Sequence, residues 1–392
     1  MSLELPFTRE EYLERLDRVR GDMTQRELDL LLIADPASQN WLTGHEGWSF
    51  YTPQLVAVAH DREPIWLGRA MDAPGARMTT YMDDGAVVPY PEDHVQKTDV
   101  HPVDFMADHL RGAGFDGKRI GVELDSYYFS PRSLDCLKAG LPNAEFCNGD
   151  LLVNWARVVK SAAEIDTMRR AARLVETAMT TAYDTIAPGV RQCDAVGAIY
   201  RSQVAGQAEF SGDLTSLCPI ILAGAAATTA HPIWSDAPFE ADQTIALELG
   251  GAHKRYTCAL ARTMRLGQPP RKLMDTAAAV EEGLKAVLDT IAPGVTAGQV
   301  HSAWQRVLDR HGLTKESRIG YSIGVGYPPD WGEHTVSLRA GETTVLQANM
   351  TIHVMLGMWL DDWGMELSET VRVTETGVEC LTSFPRDVFV KG

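Results

Sequence analysis

Apolar positions divide the chain into two regions of different pattern. Up to about residue 150, short apolar runs alternate with amphipathic stretches. Arg9–Arg20 has helical spacing, and LDLLLIAD, QLVAVAHD, PIWLGR and RIGVELD read as strands. Strands alternating with helices predict an α/β domain. Near Asn154 the pattern changes. Ser161-Ala-Ala-Glu164 is a capping box opening a long helix with Ile165, Met168, Ala172, Val175 and Met179 along one face. The reading is an α/β domain over residues 1–154 and a second domain over 155–392.

The second region repeats itself. DTIAPGV occurs at Asp184–Val190 and again at Asp289–Val295, in each case ending one helix at Pro-Gly and preceding another that starts near Asp194 or Gln299. Downstream, TIALELG (Thr244–Gly250) matches TIHVMLG (Thr351–Gly357). Two copies, about 164–268 and 272–380, are too few to stack as a solenoid. They predict a pseudo-twofold domain whose strands share one sheet and whose site lies between the halves.

Composition narrows the function classes. A chain of 392 residues with 45% hydrophobic content fills complete cores, which excludes disorder. A formal charge of −17 repels nucleic acid on average. No run approaches the roughly 18 apolar residues of a membrane span, and MSLELPFTREEYLERL reads as an acidic amphipathic helix rather than a signal peptide. A cytoplasmic protein without membrane partners is expected. The six cysteines have no C-x-x-C spacing, against both a disulfide framework and a cysteine zinc site.

Five short segments carry a family resemblance. Glu248-Leu249-Gly250 is similar to a D-x-G strand, and Ala259 stands eleven residues on. Gly320-Tyr321-Ser322-Ile323-Gly324 is similar to a G-H-G-I-G motif, His353 occupies a glutamate position, and Ser368-Glu369 lies in an R-I-E-D-T-V segment. With the duplicated layout, the chain resembles the pita-bread family of creatinase, prolidase, aminopeptidase P and methionine aminopeptidase over essentially its whole length. The resemblance implies an α/β (α+β) fold, a creatinase-like N-terminal domain followed by a pita-bread catalytic domain, and a homodimer. Peptidases of this family hold two metals on Asp, Asp, His, Glu and Glu. Here four of the five positions carry Ala259, Tyr321, His353 and Ser368, so neither a metal nor another cofactor is expected.

What remains resembles creatinase, the metal-free branch that hydrolyses an amidine-type C–N bond. His231, in TTAHPIWSD, matches its catalytic histidine. The longer segments ADPASQNWLTGHEGWSFYTPQ, YPPDWGEHTVSLR and WLDDWGMELSETVRVTETG resemble the ectoine hydrolases within that branch. The implied activity is hydrolytic opening of the cyclic amidine of ectoine, a small-molecule zwitterion, to N-acetyl-2,4-diaminobutyrate; whether hydroxyectoine is also accepted is left open by the residues. Such a site needs carboxylates for the amidinium, a cation for the carboxylate and a general base.

The chain supplies each of these. Glu248 lies on a predicted central strand, where an ionised carboxylate needs a partner: an amidinium, or an internal arginine such as Arg255 or Arg262. Glu369 falls in the family's site segment, although Leu367 and Val371 on its strand face look core-facing; Glu366 shares its face with Ser368. An imidazole can take up and release a proton near neutral pH, which suits His231 to acid/base work. Arg339 falls where creatinase has a carboxylate-binding arginine. Tyr321, His353 and Glu333 are further pocket candidates. Trp48, Phe50, Tyr51 and Trp359 offer aromatic faces to a flat cation, Phe50 matching the aromatic residue that creatinase lends to its neighbour's site. A creatinase-like hydrolase of another amidine or guanidine, and a non-catalytic binding module, remain alternative readings.

Overall fold

The computed structural model describes residues 5–392, so the first four residues of the predicted N-terminal amphipathic segment lie outside it. The helix itself runs Arg9–Gln25, and the Thr8 hydroxyl caps it by accepting the Glu11 N–H at 3.3 Å. The chain forms two compact units that divide between Arg157 and Val158. No helix among the described residues is long and apolar enough to cross a membrane.

The first unit is built on a six-stranded sheet in the order Val87–Tyr90, Ile65–Arg69, Leu55–Ala59, Leu30–Ile33, Arg119–Val122 and Glu145–Asn148. Leu55–Ala59 runs antiparallel to both of its neighbours and the other pairings are parallel. Leu30–Ile33 is buried at all four positions, as expected for a continuous apolar run covered on both faces. Helices Pro102–Gly112 and Pro131–Gly140 bury Val103, Met106, Leu110 and Leu137 against Leu30, Leu32, Ile120 and Val122.

The second unit carries a nine-stranded sheet. Its main path runs Val378–Cys380, Ser368–Val373, Thr351–Met355, Gly320–Tyr327, Tyr256–Leu266, Thr244–His253 and Ile220–Ala223; Asp330–Ser337 and Phe389–Lys391 pair alongside. Each half packs one face against its own helix pair, Ala162–Thr185 with Gln192–Ala205, and Arg271–Thr290 with Ala297–His311. The capping box at the first helix is present: Ser161 Oγ accepts the Glu164 N–H at 3.1 Å, and Glu164 Oε2 accepts the Ser161 N–H at 2.7 Å.

The repeat in sequence is a repeat in hydrogen bonds. Gly189 N–H donates to Phe239 O (2.9 Å) and Phe239 N–H returns to Val190 O (2.8 Å). In the second copy Gly294 N–H donates to Leu346 O (2.9 Å) and Leu346 N–H to Val295 O (2.8 Å). Both glycines have φ +87°, a left-handed conformation that explains why Pro-Gly recurs at the same place.

Side-chain alternation decides what each sheet face carries. Leu247 and Leu249 point into the helix-side core of the first half, and Ile352, Val354, Leu367 and Val371 into that of the second. Glu248, His353, Glu366 and Ser368 therefore share the opposite face, because strand neighbours alternate. Two glycines allow close approach here. A Cβ on Gly251 would lie 2.3 Å from Ala171 O of the packed helix, and one on Gly250 would lie 2.8 Å from the Trp331 ring. The second approach lets an aromatic ring lie directly on the Glu248 strand.

Candidate active site

The helix-free face of the second sheet gathers five side chains from five strands. Tyr321 and His353 are directly opposite one another in the antiparallel pairing, and Ser368 sits one diagonal step from His353. His353 Nε2 lies 2.8 Å from Ser368 Oγ, and its Nδ1 lies 3.1 Å from the Tyr321 hydroxyl. Trp331 Nε1 donates to that hydroxyl at 2.8 Å. Glu248 Oε1 is 4.0 Å from His353 Nδ1, outside hydrogen-bond range. Ser368 and Thr370 also tie the two halves of the sheet together. Ser368 Oγ accepts the Ala261 N–H at 2.6 Å, and Thr370 Oγ1 exchanges hydrogen bonds with the Ala259 backbone. Strand pairing thus brings together the five positions at which the family resemblance locates metal ligands.

Beside this group stands a second carboxylate. Trp359 Nε1 donates to Glu366 Oε1 at 3.2 Å, while Glu366 Oε2 is buried without a hydrogen-bond partner among the described residues. The Lys315 ammonium lies 4.3 Å from the Trp359 ring centroid and donates to Ser317 Oγ (2.8 Å) and Gly357 O (2.6 Å). Lys315, Ser317, Gly357, Trp359 and Trp363 line a polar cavity of about 640 Å³. Arg318, exposed on the same loop, lies over the Tyr321 ring at 4.4 Å.

Burial sets the electrostatics. It pushes the Glu248 carboxyl up to about 7. Glu366 is raised well above the ordinary carboxylate range by burial and then by the Glu248 charge, with Trp359 and Lys315 opposing. Burial, reinforced by Arg318, holds His353 down to about 3, so its ring is neutral at physiological pH. Lys315 is lowered to about 8 by burial, against the pull of Glu366. Two carboxylates that both resist ionisation are poised to accept a cation, whose charge would remove the cause of the resistance.

Several residues expected at the site lie elsewhere. Glu369 shares its strand face with Leu367 and Val371 and points to the helix side, as the alternation suggested against the motif. There Arg262 donates to Glu369 Oε1 (2.8 Å), Arg386 Nε to the same oxygen (2.9 Å), and Thr382 Oγ1 to Oε2 (2.7 Å). Three charge-assisted bonds leave its carboxylate no role towards a ligand on the other face. Glu333 is likewise held in an internal pair, with Lys160 Nζ at 2.6 Å and both side chains 1% exposed. Arg262 does pair with a carboxylate, but with Glu369 and not with Glu248.

His231 is exposed, on the loop that follows the turn Gly224–Thr228; this turn packs on the Glu248 strand and on Gly364–Met365. Arg339 is exposed, its Nε donating to Ser337 Oγ (2.9 Å), and Ser337 is the strand partner of Tyr321. Trp48, Phe50 and Tyr51 belong to the first unit. Trp48 and Phe50 pack at 4.5 Å between ring centroids, and Phe50 and Tyr51 are 70% and 64% exposed. Sequence reasoning missed Lys315, Arg318 and the hydrogen-bonding role of Ser368. The first two look like any surface cation in sequence. Ser368 was legible as a former ligand position on the Glu366 face.

Comparison with known proteins gives a consistent result. Residues 166–375 match the model of metallopeptidase family M24, and residues 15–159 match the creatinase/prolidase N-terminal domain. An ectoine hydrolase of Halomonas elongata is 40% identical over 398 aligned positions, spanning 100% of both chains. An uncharacterized hydrolase/peptidase of Sinorhizobium fredii is 39% identical over 99% of each chain. Among solved structures, dipeptidase PepE from Mycobacterium ulcerans superposes with a TM-score of 0.80 at 21% identity, covering 98% of this chain and 99% of that one. Recombinant prolidase from Thermococcus sibiricus gives 0.85 at 15% identity, covering 97% and 99%. At such identities these structures establish the fold alone.

Proposed function

Because this chain belongs to metallopeptidase family M24, with that family's creatinase/prolidase N-terminal domain, we propose that it is a hydrolase that has exchanged the family's metal chemistry for amidine hydrolysis. Its substrate on this reading is ectoine, opened at a ring C–N bond to N-acetyl-2,4-diaminobutyrate. The full-length likeness to the Halomonas enzyme supports the substrate. The paired buried carboxylates Glu248 and Glu366 carry the chemistry.

The family's metal ions do not fit these residues. Both ring nitrogens of His353 are engaged, by Ser368 and Tyr321, and a methyl group stands at Ala259. Of the five former ligand positions only Glu248 still carries a carboxylate. Among the described residues no group of three or more His, Cys, Asp or Glu side chains is arranged to hold a metal ion. Hard divalent cations need several anionic oxygens, and the five former ligand positions offer one carboxylate beside Ala, Tyr, His and Ser.

The same face suits an amidinium. Glu248 and Glu366 meet the delocalised positive charge, and Trp359 and Trp331 supply apolar and π surface beside it. Arg318 and Arg339, on the loops next to Tyr321 and Ser337, are the cations available to the substrate carboxylate. An oxygen adds to the amidinium carbon, a ring C–N bond breaks and the departing nitrogen takes up a proton, with net consumption of one water. His231, exposed on the loop that follows the turn packed on the Glu248 strand, serves as the group that carries protons to and from the site.

A proton NMR time course of chelator-treated protein with ectoine tests this reading. The expected result is conversion of the ring methyl signal to an acetyl signal at a rate that added divalent metal does not raise. Absence of turnover with and without metal, while another amidine or guanidine is hydrolysed, would transfer the assignment to that substrate.

The protein is proposed to work as a homodimer in the reducing cytoplasm, where its six free cysteines are at home. The exposed Phe50 and Tyr51 are the residues offered to the partner's site. Light scattering is expected to give twice 43.1 kDa; a monomer mass would remove this part of the assignment.

A further inference from the structure

Proton counting along the buried chain from Ser368 to Tyr321 leaves one donor over. Ser368 Oγ accepts the Ala261 N–H at 2.6 Å, and its other hydrogen-bond partner among the described residues is His353 Nε2 at 2.8 Å. A buried hydroxyl must place its own proton, so Ser368 donates to Nε2. His353 therefore carries its proton on Nδ1 and donates it to the Tyr321 oxygen, 3.1 Å away. That oxygen also receives the Trp331 Nε1–H at 2.8 Å. With two N–H groups directed at it, the phenol has its own O–H left, and no side chain or backbone oxygen among the described residues accepts it.

We infer that Tyr321 is a substrate-contacting hydrogen-bond donor whose direction is fixed by Ser368 and His353, and that its O–H meets the oxygen that adds to the amidinium carbon. Ser368 and His353 are positioning residues: neither needs to touch substrate. The inference rests on the amidine-hydrolase reading for the identity of the acceptor and not for the order of the protons. Glu248 contributes to the same end, because its charge adds to burial in keeping the Tyr321 proton on the phenol. An unspent donor on the ligand face marks where a ligand oxygen belongs, since leaving it unsatisfied in the occupied site would carry the full desolvation cost.

Two measurements test this. Imidazole ¹⁵N spectra of the full-length protein should give His353 a protonated Nδ1 and a pyridine-type Nε2, and Ser368→Ala should abolish that single-tautomer pattern while Ser368→Thr restores it. This readout needs no substrate, so it stands or falls apart from the choice of ectoine. In turnover assays Tyr321→Phe should lower kcat about 10- to 100-fold with KM changed less than threefold, and adding Ser368→Ala should lower it no further. A proton on Nε2 in the parent protein, or an unchanged kcat in folded Tyr321→Phe, would overturn the inference. If Ser368→Ala fails to fold, the parent spectrum and the Tyr321→Phe kinetics decide it.

Discussion

Glu248→Gln is expected to lower kcat by about 10³-fold while leaving the protein more stable than its parent at pH 8. The loss follows because glutamine keeps the shape of the side chain and removes both its charge and its basicity beside the amidinium. The gain follows from linkage. The Glu248 carboxyl titrates near 7 in the folded protein against an ordinary 4.5, so the folded state holds the proton more tightly than the unfolded chain. Below about pH 4.5 both states are protonated and the residue contributes nothing. As pH rises from 4.5 through 7 the unfolded state sheds its proton first and stability falls. Above 7 the full cost is present, about 3 kcal/mol at most. Denaturant unfolding of parent and variant at pH 5 and pH 8 measures it: the difference should be small at pH 5 and favour the variant at pH 8. A stabilised but inactive variant is the signature of a residue retained for chemistry. A destabilised one would mean that an internal cation balances Glu248.

Arg262→Met is expected to destabilise the protein by about 3 to 5 kcal/mol, the range for stripping one partner from a buried ion pair. Arg262 is fully buried and places all five N–H groups. They bond to Glu369 Oε1 and to the backbone oxygens of Ala261, Ser368, Phe384 and Pro385. Its removal strands four carbonyls and leaves Glu369 with Arg386 and Thr382 alone. Urea unfolding reads the loss directly. Glu369→Gln serves as the companion. Its activity per folded molecule should fall far less than that of Glu248→Gln, since Glu369 lies on the opposite side of the sheet. Equal losses in the two variants would return Glu369 to the site.

The contrast between these two glutamates shows what could be read in the chain. Motif position favoured Glu369, whereas the period-two pattern of Leu367 and Val371 pointed it to the core, and the period prevailed. A strand residue has no freedom to change faces without a bulge or a slip of register. Glu333 carried no such warning, because its partner Lys160 lies 173 positions away. His353 drew attention at a former ligand position, yet nothing local indicated that Ser368 and Tyr321 would occupy both of its nitrogens.

By itself, then, the chain determined what depends on neighbours in sequence. The duplicated DTIAPGV turns, the capping box at Ser161 and Glu164, the alternation of strands and the family positions at 248, 259, 321, 353 and 368 are all local patterns, set by backbone preference and residue type. Tertiary structure alone decided which charges meet. Pairings such as Arg262 with Glu369, and the chain from Ser368 through His353 to Tyr321, join separate strands, and their protonation depends on burial that no short window of sequence contains. Coulombic and desolvation energies depend on distance in space and on exclusion of water, and both come into being only when the sheet closes.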